Sequence, residues 1–403
     1  MRIYTVTPLA VLSETGEDYN FFCRDMGLTC HGLQAAGVES KVVLLDFPKA
    51  KQHKDMIRTS LKDMENPEFW KGLQLDGAVL GAWAAPKYTP IARAIKKSGT
   101  ALIIRCDSGW AYSQWQKSIR QAFYENFLEC RYGGKGYLPA VMYAGLKTTA
   151  YYFPSAYEKK VAEHMGQADL IMNETPEGVR CLKNMLFRLA RQAVASRVKY
   201  IPHPVDGAMV YNEMISKEKR IIAVGRWGSY QKNTPLFIRS ISTFLKDYPE
   251  YEVHVFGGGE DVLYNLLYDV SQDIKERIKI RGKISNAELR DEYQKSRILF
   301  MPSRSEGSSV AAEEALNCGC SVVGSDHIFC MKNFVSKNSG TLSRTYSESG
   351  MVEALQCEVE AWEKCLRDPV AISSGWVNEF SLKSVISEIC SAVAVKADRK
   401  VQS

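Results

Sequence analysis

The chain reads as an α/β protein made of two Rossmann-like parallel-sheet domains facing a central cleft. Three observations predict this. First, 403 residues allow two domains at roughly 100–200 residues each. A content of 45% hydrophobic and 24% charged residues suits an ordinary globular protein. Second, short apolar segments alternate with amphipathic ones, the pattern of a doubly wound parallel sheet. Third, the alternation breaks once, at Pro202-His203-Pro204-Val205-Asp206-Gly207, and then resumes. Two prolines and a glycine make a stiff turn, which reads as a domain boundary.

Before that turn, the apolar segments 2–7, 41–46, 77–82, 101–105, 169–172 and 199–201 read as strands. Helical stretches such as 19–36 and 90–97 lie between them. After it, strands are predicted at 220–224, 251–256, 278–280, 297–301 and 320–324, with helices at 234–244, 261–271, 286–295 and 310–316. Residues 382–396 read as an amphipathic helix. The predicted layout is a domain over 1–206, a second over 207–375, and a C-terminal segment over 376–403 that packs back on the first domain. In open sheets of this kind ligands bind outside the carboxyl ends of the strands.

Several function classes lose support at once. No apolar run approaches the ~18 residues of a membrane span. Met1-Arg2-Ile3-Tyr4-Thr5-Val6-Thr7 has no long apolar core and reads as a first strand, not a signal peptide. The 11 cysteines are scattered, and Cys318 and Cys320 are too close for the usual zinc spacing. They read as reduced thiols, which predicts a cytoplasmic protein. The six histidines form no cluster, so no metal is expected, and a net charge of +6 does not by itself call for nucleic acid.

The most telling segment joins the predicted strand 297–301 to the predicted helix 310–316. It carries Glu306 on the loop and Glu314 about two turns into the helix, on the same side by the ~3.6-residue period. Between them the free N–H groups of the helix start favour an anion. Such a site suits a ligand with phosphate in its middle and hydroxyls at both ends, as in a nucleotide-sugar. After the strand 220–224 comes Gly225-Arg226-Trp227-Gly228-Ser229-Tyr230-Gln231-Lys232-Asn233. Arg226 and Lys232 are fixed cations able to stabilise a diphosphate leaving group without a metal. Phe256-Gly257-Gly258-Gly259-Glu260 is a tight turn allowing close backbone approach. No Gly-Lys-Ser/Thr follows, so it is not a Walker loop. The backbone of Arg281-Gly282-Lys283-Ile284-Ser285 can reach the edge of a base.

Taken in order, these segments resemble the donor domain of the retaining GT-B glycosyltransferases of family 4. The matching elements are Gly225, Arg226 and Lys232; Phe256 to Gly259; Arg281 to Ile284; and Pro302, Ser303, Glu306, Glu314 and Ala315. The turn at 201–206 also resembles the family's interdomain Ile-Pro-Asn-Gly-Val-Asp, with His and Pro replacing Asn and Gly. The likeness covers roughly residues 200–330.

The resemblance implies roles. Glu314 would bind ribose hydroxyls. Glu306 would contact the donor sugar near its reacting face. The amides of Gly307, Ser308 and Ser309 would hold sugar and phosphate, and Arg226 and Lys232 would clamp the diphosphate. Gly225, Gly258, Lys283 and Ile284 complete the donor set. One departure stands out: the family often has Gly-Phe-Gly after the first Glu, where this chain has Gly307-Ser308-Ser309. In the first domain, Thr15 and Gly16 are the best match to a phosphate-side glycine loop. Asp107 stands just past a strand, near where the family commonly has an acceptor-facing His, and can orient or deprotonate an acceptor hydroxyl.

Residues 110–132 are rich in basic and aromatic side chains, including Trp110, Tyr112, Trp115, Lys117, Arg120, Tyr124 and Arg131. Basic amphipathic surfaces can lie on anionic membranes. The reading is therefore a cytoplasmic, metal-independent glycosyltransferase without a cofactor, with peripheral contact at the inner membrane face as an added expectation. It would move a sugar from a nucleotide-diphosphate donor to a hydroxyl acceptor: a glycan, a lipid-linked group or a small molecule. The competing readings are a nucleotide-sugar epimerase or phosphorylase on the same fold, a non-catalytic sugar-nucleotide-binding subunit, and a transferase acting on modified nucleic acid.

Overall fold

The computed structural model describes residues 1–8, 21–46, 53–81, 85–106, 119–132, 134–152, 155–335 and 338–401. They group into two compact units. One comprises residues 1–119, 146–206 and 380–403, and the other residues 120–145 and 207–379.

The first unit is built on seven parallel strands: β1 (Ile3–Thr7), β2 (Val42–Leu45), β3 (Met56–Thr59), β4 (Gly77–Gly81), β5 (Ala101–Cys106), β6 (Leu170–Asn173) and β7 (Val198–Tyr200). Their order in the sheet is β3-β2-β1-β4-β5-β6-β7. Central strands are apolar on both faces because helices cover both. Along β5, Leu102 and Ile104 pack into one core with Trp70, Ile91 and Ile95. Ala101 and Ile103 face the opposite core, with Leu33 and with Val385, Ile386, Ile389 and Val393 of the helix Leu382–Val401. That helix seats closely because two glycines leave room. A Cβ on Gly77 would stand 2.5 Å from Val393 Cγ2, and one on Gly32 would stand 2.7 Å from Leu382 Cδ1.

The second unit is built on six parallel strands: β8 (Glu218–Val224), β9 (Glu252–Phe256), β10 (Ile278–Gly282), β11 (Ser296–Phe300), β12 (Ser321–Ser325) and β13 (Gly340–Ser343). Their order is β10-β9-β8-β11-β12-β13. The chain builds outward from β8 through β9 to β10, then returns to the other side of β8 with β11. Loops leaving β8 and β11 therefore diverge, and a crevice opens at the carboxyl ends of these two neighbours.

Two strands are absent from the predicted set. β3 and β13 are edge strands with one neighbour each. Met56-Ile57-Arg58-Thr59 is mostly half-exposed, and Gly340-Thr341-Leu342-Ser343 holds one large apolar residue. Neither needs the apolar run that marks a central strand. The first helix starts later than predicted, at Asp25 rather than in the stretch from 19, and the helix predicted over 261–271 spans Glu260–Leu267.

Candidate active site

The crevice of the second unit is framed by glycines that let three loops interlock. Gly257, after β9, has φ +103°, and a Cβ there would stand 1.9 Å from the Gly225 carbonyl oxygen. Gly259 has φ +101°, and its Cβ would stand 2.5 Å from the Gly228 nitrogen. Only glycine combines that backbone conformation with that approach. Backbone hydrogen bonds tie the same loops together: Gly225 N–H to Phe256 O at 3.0 Å, Trp227 N–H to Gly258 O at 2.8 Å, and Gly257 N–H to Gly282 O at 2.8 Å. Trp227 anchors the floor. It is buried, its indole N–H donates to Phe256 O at 2.9 Å, and its ring packs on Phe237 at 4.6 Å.

On this frame the β8 loop meets the β11 loop. Lys232 Nζ donates to Glu306 Oε1 at 2.7 Å, with only 13% and 7% of the two side chains exposed. The Lys232 stem lies against Gly225, whose added Cβ would meet it at 3.2 Å. Gln231, the preceding residue, braces the same loop. Its Nε2 donates to Ser305 O at 2.8 Å and to Glu306 Oε2 at 3.3 Å, and its carbonyl accepts from Arg304 N–H at 2.7 Å. The Arg304 guanidinium stacks 4.3 Å from the Tyr230 ring centre, and burial pushes the Tyr230 phenol up to about 12. Both oxygens of Glu306 are thus held by donors from one short turn.

The helix after the loop spans Val310–Asn317. Ser309 caps it, its hydroxyl accepting from Ala312 N–H at 3.4 Å. The hydroxyl of Ser308 donates to Glu313. The two serines that depart from the family pattern are therefore engaged inside their own loop. Glu313 sits in the first turn, where a carboxylate offsets the helix dipole. Glu314 is the fifth helical residue, a little over one turn in rather than about two. It is buried, and Tyr293 OH donates to its Oε2 at 3.3 Å.

Other candidates stand apart from this contact. Arg226 is exposed, and of these two cations it is Lys232 that meets Glu306. Lys283 is exposed and its stem lies beside Gly258, whose added Cβ would meet Lys283 Cε at 3.0 Å. Ile284 is half-buried, and Gly307 is half-exposed in the loop between Glu306 and the helix. Thr15, Gly16 and Asp107 lie outside the described residues. Among the described residues, no group of three or more His, Cys, Asp or Glu is placed to hold a metal ion.

Sequence reasoning missed Gln231 and Tyr346. Gln231 is betrayed only by its place beside Lys232 in one tight turn. Tyr346 OH accepts from Asn233 Nδ2 at 2.7 Å and donates to Pro302 O at 3.0 Å, linking the β8 and β11 loops from a position past β13. Nothing local in sequence marks it.

Comparison with known proteins agrees with this geometry. Residues 218–358 match the family model described as "Glycosyl transferases group 1". A curated relative, the poly(glycerol-phosphate) alpha-glucosyltransferase of Bacillus subtilis (strain 168), is 27% identical over 140 residues, 34% of this chain. The match spans about a fifth of that relative's length (20%). Among solved structures, the pneumococcal O-GlcNAc transferase GtfA, in complex with UDP and GlcNAc, superposes with a TM-score of 0.68 at 10% identity, covering 98% of this chain and 99% of that one. Anabaena HepE in complex with UDP gives 0.65 at 12% identity, covering 98% and 100%. At such identity these two show a shared fold, the two-sheet GT-B class. Residues 218–358, which hold the Lys232–Glu306 contact and both glycine turns, are thus similar to the group 1 glycosyltransferases.

Proposed function

We propose that the chain is a retaining, metal-independent glycosyltransferase that moves a sugar from a nucleotide-diphosphate donor to a hydroxyl acceptor. The observation that carries this is the Lys232–Glu306 contact at the point where the strand order reverses, beside a capped helix start. A cation, a carboxylate and the backbone amides of a helix start lie there on one pair of loops.

The chemistry follows from charge. As the glycosidic bond breaks, negative charge builds on the diphosphate oxygen. Lys232 stands ready to turn from Glu306 toward that oxygen, and exposed Arg226 supplies a second cation from the same loop. Amides of Gly307, Ser308 and Ser309 add donors at the helix start. Glu306, released from part of its pairing, accepts from the sugar hydroxyls. Glu314 serves the ribose, and the segment at Lys283 and Ile284 serves the base. The acceptor oxygen attacks the anomeric carbon on the face the diphosphate leaves, and its proton passes to the departing phosphate oxygen. The new bond then keeps the donor's anomeric configuration.

HepE and GtfA were solved with UDP, which makes UDP-sugars the first donors to assay. The acceptor of the Bacillus relative, poly(glycerol phosphate), makes a polyol phosphate a first acceptor. The scattered spacing of the cysteines supports a reducing, cytoplasmic setting.

The test is nucleotide release from UDP-, GDP-, ADP-, CDP- and TDP-sugars, with EDTA present, across an acceptor panel, followed by NMR of the product's anomeric proton. Acceptor-dependent release with retained configuration is expected. Inverted product, an epimerised donor in the absence of acceptor, or no release with any pair would sink the reading.

A further inference from the structure

The helix Tyr137–Tyr152 is built inside out. The residues it buries are small: Ala140, Ala144 and Thr148. The residues it shows to solvent are large and apolar. Leu138, Met142 and Leu146 recur every fourth position, forming one stripe, and are 68%, 60% and 73% exposed. Tyr137 and Tyr143 flank the stripe at 71% and 41%. Ile119 and Tyr124, on the preceding helix Ile119–Tyr132, are exposed as well. Single exposed apolar residues need no explanation, but a row of them on one helix face marks a contact surface.

Charge decides what covers it. Between Glu129 and Glu158 the chain carries no acid but carries Arg131, Lys135 and Lys147. Arg131, in the last turn of the preceding helix, and Lys135, in the turn leading into this one, are exposed, and Arg131 Nη1 donates to Lys135 O at 2.7 Å. Basic residues at the rim of an apolar face, with tyrosines beside them, match the chemistry of an anionic bilayer surface: acyl chains for the leucines and methionine, headgroup phosphates for the cations, the interface for the tyrosines. No helix among the described residues is long and apolar enough to cross a membrane, so this helix would lie on the surface.

We infer that the Leu138–Met142–Leu146 face, with Arg131 and Lys135, docks the protein on anionic lipid bilayers. The basic aromatic residues expected to do this ran over 110–132, 151–153 and 186–191. Trp110, Tyr112, Trp115 and Lys117 lie outside the described residues.

The experiment is co-sedimentation of the full chain with vesicles of phosphatidylcholine alone or with about a third phosphatidylglycerol, at low and high salt. The wild type should bind the anionic vesicles, bind neutral ones weakly, and release as salt rises. The variant L138S/M142S/L146S should lose binding at least about tenfold while its circular-dichroism melt is unchanged, because these side chains are exposed. R131A/K135A should weaken binding a few-fold and reduce its salt dependence. Three results would overturn the inference: no binding by the wild type, full binding by the folded triple variant, or a wild-type dimer in light scattering that the triple variant makes monomeric. The last would assign the face to a second copy of the chain.

Discussion

Lys232 and Glu306 are 74 residues apart in sequence, yet Nζ and Oε1 are 2.7 Å apart, and both side chains are largely buried. Their loops follow β8 and β11, which are adjacent in the sheet only because the strand order reverses between them. The pair therefore reports both the topology and the site.

Removing one partner strands the other. Lys232→Met should destabilise the chain by about 2–3 kcal/mol, toward the low end for a broken buried pair because Gln231 still donates to Glu306. The double variant Lys232→Met/Glu306→Gln should be more stable than the sum of the single changes implies, with a coupling of about 1–3 kcal/mol. Urea melts of the four proteins measure this.

Gln231 is a positioning residue for Glu306. Gln231→Ala should lower kcat about tenfold, since a loosened carboxylate loses its aim, with little change in donor KM or melting temperature. Gln231→Glu should fare worse than Ala, since it sets two carboxylates side by side. A parallel loss of kcat and stability in both variants would point to a merely structural role.

Gly257 tests the loop frame. Gly257→Ala puts a Cβ 1.9 Å from the Gly225 carbonyl oxygen at φ +103°. It should cost more than about 2 kcal/mol and lower donor affinity with it. Gly228→Ala is the control, since a Cβ there meets nothing within 4 Å. Thermal melts with and without UDP separate the two effects.

Acid should weaken the first unit through His164. The side chain is fully buried, and burial pushes the imidazole down to about 4. Thr89 Oγ1 donates to Pro86 O at 2.7 Å, so it accepts from His164 Nδ1 at 3.3 Å. Among the described residues His164 Nε2 has no hydrogen-bond partner for a second proton. The unfolded chain, with its histidine near 6.5, takes up the proton first. Stability is therefore full above about 6.5 and falls as pH drops toward 4, by roughly 3 kcal/mol at most. His164→Asn should flatten that slope in urea melts run from pH 7 to 4. An unchanged slope would show that other groups set it.

Central strands were legible because burial on both faces writes itself as an apolar run, as in Ala101–Cys106. Edge strands β3 and β13 were not, because one neighbour and a half-exposed face leave no such mark. Within the candidate site, the meeting of Glu306, Lys232 and the glycine turns was foreshadowed because tight backbone approach and charge limit which residues can stand there. The use of Ser308 and Ser309 was not readable: one hydroxyl turns to Glu313 and the other caps the helix, and either residue alone is an ordinary loop serine. Tyr346 was invisible because its partners, Asn233 and Pro302, are brought to it only by the folded sheet.

The central claim is that the β8 and β11 loops hold a nucleoside diphosphate with Lys232 on its phosphates. Isothermal titration of UDP and of uridine into the wild type and into Arg226→Ala/Lys232→Ala tests it most directly. The account predicts UDP affinity at least about tenfold weaker in the variant, from the lost charge-assisted bonds, with uridine affinity unchanged. Equal UDP affinity in the two folded proteins would contradict it.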